Sequence, residues 1–182
     1  MKKQTIDTDS WATPWWAFRF AEKYFLQGYK FLLDATASEL NAKCKFFFTK
    51  EQNALKKDWF KILNSIWHKQ TVWCNPPYSK PLPFVEKAIE EAEKGVVTVM
   101  LLNTDNSTKW FNLCVQHAAK IVFVTEQRIT FLNPETGEEA KSGGKRPSMY
   151  VLFDNERRKY KGLETVYLSI HKIKEIGNRG EK

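Results

Sequence analysis

Asn75-Pro76-Pro77-Tyr78 is the stretch of this 182-residue chain whose residue types are best suited to chemistry. It sets an amide side chain, two ring-locked backbone positions and an aromatic face side by side. By average residue usage the tetrapeptide arises by chance in on the order of one chain in a thousand. Thr71-Val72-Trp73-Cys74 before it reads as a strand, and two prolines, which cannot donate to a sheet ladder, stop that strand abruptly. Other chemistries lack their residues. His68, His117 and His171 have no carboxylate or cysteine partners at ligand spacing. Cys44, Cys74 and Cys114 are odd in number, widely spaced and without a C-x-x-C pair. Neither a metal site nor a disulfide framework is expected, and a reducing compartment fits best. Cys74, beside Asn75, reads as packing. Glu86, Glu90, Glu91 and Glu93 read as the solvated face of a helix.

The elements that must position these residues follow from periodicity. Thr13-Pro14 marks a helix start, with Thr13 as cap and Pro14 at the first helical position. WWAFRFAEKYFLQ continues that helix, and Gly28 ends it. FLLDATAS is a short buried strand running through Asp34 into small residues. CKFFFTK is a second strand, followed by a polar, helical connection to about residue 69. PFVEKAIEEAEKG is an amphipathic helix, VVTVMLLN a buried strand, STKWFNLCVQHAAK a helix and IVFVTE a strand. RITFLN and SMYVLF, joined by PETGEEAKSGGKRP, read as a long hairpin, and TVYLSIHKI as a final edge strand. Strands alternating with helices predict an α/β fold: a doubly wound, mostly parallel sheet with an antiparallel C-terminal hairpin at its edge. Ligands of such sheets bind beyond the carboxyl ends of the strands, where strand order reverses. Asp34 and Asn75 both fall at such ends.

Composition narrows the class. The chain is 42% hydrophobic and 27% charged, as ordinary globular domains are, and its 26 aromatic residues exclude whole-chain disorder. The longest apolar run, Val96 to Leu102, is far short of the roughly 20 residues of a membrane span. MKKQTIDTDS has no apolar core of a signal peptide. The formal charge of +8 is unevenly spread: residues 42–80 and 141–182 each carry +6, and residues 81–140 carry −4. Two basic blocks could form one face that meets a polyanion.

Asn-Pro-Pro-Tyr resembles the signature of S-adenosylmethionine-dependent amino-methyltransferases acting on adenine N6. The resemblance extends along residues 11–153. Thr13-Pro14-x-Trp16, Leu33-Asp34-Ala35-x-Ala37-Ser38, Phe48-Thr49, Asn53-Ala54-Leu55 with Asp58-Trp59, and Trp73 through Ser79 occur in the order seen in phage-type DNA N6-adenine (Dam) methyltransferases. Val99-Met100-Leu101-Leu102, Lys109-Trp110-Phe111, Gln127-Arg128-Ile129-x-Phe131 and the strand after Pro147 continue it. The resemblance implies a Rossmann-like methyltransferase fold, S-adenosyl-L-methionine as cofactor, no metal, and double-stranded DNA as substrate. It further implies that Asn75, Pro76, Pro77 and Tyr78 are catalytic. The Asn75 side-chain oxygen and the Pro76 carbonyl would accept the two N–H bonds of a flipped adenine, and Tyr78 would stack on it. Thr13, Pro14, Asp34, Ala35, Asn53, Leu55 and Asn75 would line the cofactor pocket. The usual glycine-rich loop is absent, and Ala35-Thr36-Ala37 stands in its place.

Residues 11–175 are expected to form one domain, with residues 1–10 an extension and 176–182 a tail. DNA contact is then expected from loops: the stretch after Tyr78, residues 103–109, and the insert 133–147 with Lys141, Lys145 and Arg146. Arg157 and Arg158 form a second basic candidate. The expected setting is the cytoplasm of a bacterial or phage-infected cell, without membrane, as a monomer or weak dimer. Transfer to RNA or to a protein glutamine, and a catalytically idle DNA-binding module, are the competing readings.

Overall fold

The computed structural model describes residues 9, 11–64, 69–139 and 146–180. Seven strands form one sheet: β1 (Leu33–Asp34), β2 (Phe46–Phe47), β3 (Thr71–Cys74), β4 (Val97–Asn103), β5 (Lys120–Thr125), β6 (Ser148–Phe153) and β7 (Glu164–Ser169). Their order is β2-β1-β3-β4-β6-β5-β7. All neighbours are parallel except those of β6, which runs antiparallel to both β4 and β5. The helices are α1 (Trp15–Leu26), α2 (Trp59–Asn64), α3 (Leu82–Glu93), α4 (Lys109–His117), α5 (Asn155–Lys161) and α6 (Ile170–Asn178).

Period-two alternation divides the core between the two faces of the sheet. On β4, Val97, Val99 and Leu101 join α1 and α6 through Phe18, Phe20, Ile170 and Ile173. Met100 and Leu102 face the other way, onto Val85 and Ala88 of α3, Trp110 and Cys114 of α4, and Trp59 of α2. The sheet is therefore doubly wound. The chain leaves β1 outward to β2 and returns to β3 on the other side of β1, so strand order reverses between β1 and β3. Asp34 ends β1 and Asn75 follows β3, one on each side of that crevice.

Several expectations are corrected. The antiparallel strand lies inside the sheet, not at its edge, and RITFLN is not its partner. Among the described residues, only Leu132 of that region makes bridges, to Ala12 and Glu139. All six residues of β6 are buried, so the strand has no polar face to turn to solvent and takes a central place. β7, with exposed residues along it, takes the edge. The TVYLSIHKI strand also stops at Ser169, where the Ser169 hydroxyl accepts the Lys172 N–H and starts α6. Second, residues 176–178 are no tail: they form the last turn of α6, which packs against α1, with Gly177 against the Trp16 backbone. Third, Glu91 is fully buried. It pairs with Lys87 at 2.7 Å and Lys94 at 3.0 Å and accepts the Phe60 N–H at 2.8 Å, tying α2 to α3. Fourth, Thr13 does not cap α1. Pro14 is the residue at the cap, and no side-chain bond closes that end.

Candidate active site

The Thr13 hydroxyl is committed elsewhere. Asn75 Nδ2 donates to Thr13 Oγ1 at 3.0 Å. The Asn75 backbone N–H donates to Thr36 Oγ1, in the loop after β1, at 2.9 Å. Three segments thus meet on Asn75: the start of α1, the loop after β1 and the end of β3. Asn75 Oδ1 is buried and has no hydrogen-bond partner among the described residues. An acceptor left in that state costs about 1–3 kcal/mol, a cost that a donor arriving on a ligand would remove. Pro76 is buried and Pro77 half-buried. The Pro77 carbonyl accepts the Lys80 N–H at 3.1 Å, which folds the chain back after the prolines.

Tyr78 lies half-buried with its ring edge-on to Phe131, centroids 5.7 Å apart at 83°. Its hydroxyl is buried without a partner among the described residues, and burial holds the phenol well above its ordinary range. Two contacts from distant sequence brace this loop. Ala12 pairs with Leu132, next to Phe131, and Asp9 accepts the Ser79 hydroxyl at 2.6 Å.

Asp34 is buried beside this point. Its Oδ1 accepts the Thr36 N–H at 3.2 Å and its Oδ2 the Lys43 N–H at 3.0 Å. Burial outweighs these bonds and raises its pKa to about 6. Lys43 places its ammonium 4.4 Å from the centre of the Trp15 ring. Ala35 is buried, and Ala54, between Asn53 and Leu55, packs in the same apolar cluster. Asn53 adopts the left-handed backbone region at φ 52° and starts the 3-10 turn Ala54–Lys56. The structure therefore brings Thr13, Asp34, Ala35 and Asn75 to one crevice, with the Asn53–Leu55 turn packed at its side.

A cavity of about 580 Å³ opens on the other side of Tyr78. Tyr78, Lys80, Asn103, Asp105, Trp110 and Arg146 are among its lining residues. All three loops expected to meet DNA contribute to it. Arg146 and Asp105 face each other across it at 3.5 Å.

The sequence model of the DNA N-6-adenine-methyltransferase (Dam) family matches residues 2–180. The chain belongs to the Dam family. It is 48% identical over 172 residues to the DNA N-6-adenine-methyltransferase of Haemophilus phage HP1, a match that covers 94% of this chain and 92% of the relative. It is 35% identical over 179 residues to that of Escherichia phage T1, covering 91% of this chain and 70% of the relative.

The basic residues expected from charge and loop position to meet DNA are not all placed at this crevice. Lys141 and Lys145 lie outside the described residues. Arg157 and Arg158 sit on α5, which follows the far end of antiparallel β6. Phe153 pairs with Thr98 and Ser148 with Asn103, so α5 starts about 17 Å down the sheet from the carboxyl end of β4. There Arg158 donates to the Gln116 carbonyl at 3.0 Å, closing the end of α4, and Arg157 pairs with Glu164 at 3.5 Å. These two residues hold the fold together at the end of the sheet away from Asn75. Sequence reasoning passed over Thr36, Lys43 and Asp9 as site residues. Nothing in their spacing pairs Thr36 with Asn75 or Asp9 with Ser79, because those contacts are made across the fold, and Lys43 reaches Asp34 and the Trp15 ring. No helix among the described residues is long and apolar enough to cross a membrane.

Proposed function

We propose that this Dam-family chain transfers a methyl group from S-adenosyl-L-methionine to the N6 amine of an adenine in double-stranded DNA, turned out of the duplex into the Asn75–Tyr78 pocket. The observation that carries the reading is Asn75 Oδ1: buried, unpartnered among the described residues, and on an amide whose nitrogen is already tied to Thr13. It is an acceptor waiting for an N–H. Adenine N6 brings two, and its lone pair is delocalised into the ring. Asn75 Oδ1 and the Pro76 carbonyl accept those N–H bonds, hold the amine in line and favour a pyramidal nitrogen whose lone pair points outward. That is catalysis by positioning and electrostatics, without a covalent intermediate. The aromatic face of Tyr78 holds the base plane.

The residues of the crevice fit the cofactor. Each Asp34 oxygen takes one internal N–H and keeps a second lone pair for an ammonium group. Ala35 offers only a methyl where close approach is needed. Pro14 stands beside Thr13, and Asn53 and Leu55 flank the crevice for the adenine of the cofactor. Bound there, S-adenosyl-L-methionine supplies an electrophilic methyl group on its sulfonium. The lost glycine-rich loop is thereby replaced by alanine and threonine backbone. Lys80 and Arg146, on the loops around the cavity, can meet the phosphates of the substrate strand, Arg146 by leaving Asp105, and Lys141 and Lys145 belong to the same insert in sequence. Phage relatives point to the cytoplasm of an infected cell as the setting.

The test is transfer of label from tritiated S-adenosyl-L-methionine to unmodified duplex DNA, RNA or a protein extract. Label is expected in DNA, at N6 of adenine after hydrolysis. Asn75→Ala should lower it by far more than it weakens cofactor binding. Label in protein or RNA alone would reject the reading.

A further inference from the structure

We infer that Thr13 is a positioning residue: with Thr36 it clamps Asn75 from two sides, so that the amide oxygen, not the amide nitrogen, faces the target amine. The inference rests on the methyl-transfer reading above. An asparagine amide offers an acceptor and a donor of nearly the same size. If it turned over, an NH2 group would meet the NH2 of adenine and the site would repel its substrate. Something must break that symmetry. Thr13 is buried to 4% exposure, and its hydroxyl is the hydrogen-bond partner found for Nδ2, at 3.0 Å. Thr36 Oγ1 holds the backbone N–H of the same residue at 2.9 Å. The first contact gives the Nδ2 end of the amide an acceptor, so that the donor-only amine of the substrate meets Oδ1, and the second fixes the main chain from which the amide projects. Both hydroxyls come from other segments, so the acceptor is aimed by the fold and not by the Asn-Pro-Pro-Tyr sequence. Thr13 accordingly gives its hydroxyl to the catalytic amide rather than to a helix cap or to the cofactor.

Steady-state kinetics on duplex DNA test this with Thr13→Val, Thr13→Ser and Thr36→Val. Valine keeps the shape of threonine and removes the hydroxyl. Misplacement of a reacting group by about an ångström costs roughly a hundredfold, so Thr13→Val should lower kcat by about ten- to a hundredfold. KM for the cofactor should stay within about threefold, since only the aim of the amide has changed. Thr13→Ser should restore kcat to within about threefold of the parent, and Thr36→Val should lower kcat in the same sense. A wild-type kcat in Thr13→Val overturns the inference. So does a defect that saturating cofactor abolishes, which would make Thr13 a cofactor contact. A second measurement needs no activity and no Thr13 variant. In the wild-type protein labelled with 15N-asparagine, the Asn75 side-chain NH2, identified by its absence from Asn75→Ala, should exchange at least tenfold more slowly than those of exposed asparagines. Exchange as fast as theirs removes the clamp. If the wild-type protein methylates no DNA, the functional reading fails, and this exchange rate still decides whether the clamp exists.

Discussion

Gly177 is the point at which the helix-on-helix packing of the domain can be tested by a single methyl group. It lies in the last turn of α6, where α6 crosses the first turn of α1. A Cβ built on Gly177 would stand 2.1 Å from the Trp16 carbonyl oxygen and 3.0 Å from its carbonyl carbon. Both atoms are backbone, so no side chain can rotate away. The Gly177 carbonyl also accepts from Arg19 Nε and Lys23 Nζ, each at 3.1 Å, so α6 cannot slide without breaking bonds to α1. Carbon–oxygen contacts settle near 3.3 Å, so Gly177→Ala must force the helices apart by about 1 Å. Overpacking of this kind costs about 1–3 kcal/mol, and the absence of any yielding atom puts Gly177 at the upper end. Alanine regains up to about 1 kcal/mol of helix propensity. The expected net loss is about 2 kcal/mol, which for a domain of this size lowers Tm by about 4–8 °C. Thermal unfolding of wild type and Gly177→Ala measures it. A Tm that is unchanged or higher would show that the two backbones do not meet and that α6 is held by its side chains alone. Because Thr13 precedes α1 by two residues, kcat should fall as well.

Three further outcomes follow from buried polar groups. Glu91→Ala takes from Lys87 the closer of its two carboxylates, leaving Glu90 at 3.2 Å, and removes the acceptor for the Phe60 N–H, so it should destabilise by about 1–3 kcal/mol in denaturant titration. Adding Lys87→Met should recover a large part of that loss, and no recovery would assign the damage to packing instead. Tyr78→Phe removes a buried hydroxyl that has no partner among the described residues; it should keep most activity and raise stability by up to about 1 kcal/mol, whereas Tyr78→Ala should lose activity. Equal activity losses for Phe and Ala would contradict the stacking role. Asp34, raised to about 6 by burial, binds its proton more tightly in the folded than in the unfolded chain. Its contribution to stability is therefore greatest below about pH 4, falls as pH rises to 6 and is level above that. A stability difference between wild type and Asp34→Asn that stays constant between pH 4 and 6 would refute this. Cofactor affinity should weaken as pH drops through 6, as the carboxylate is neutralised.

The sheet was legible wherever a strand's burial shows in its own residues. VVTVMLLN reads as a buried strand and is the seven-residue β4 with every residue buried, and Asn75-Pro76-Pro77 ends β3. The place of β6 was legible too, had six consecutive buried residues in SMYVLF been read as the mark of a central strand and not of a hairpin arm. The start of α6 was not, because Val166, Leu168 and Ile170 continue a strand alternation that the Ser169 cap interrupts. Glu91 looks like its neighbours on α3 in sequence. Its burial depends on α2 packing over it, which no periodicity in α3 records.

The sequence by itself determined which groups the proposed site offers: an amide, a carbonyl fixed by prolines and an aromatic ring on adjacent residues. These groups are near one another because they are consecutive. Only the tertiary structure decided how the amide is aimed and which cations stand near it. Thr13, Thr36 and Asn75 are separated by tens of residues and meet only because strand order reverses between β1 and β3. Arg157 and Arg158 resemble a nucleic-acid patch in sequence, yet an antiparallel β6 carries them to the opposite end of the sheet. Residue type is a local property, whereas direction and distance across a crevice are set by the register of strands that the chain visits at different times.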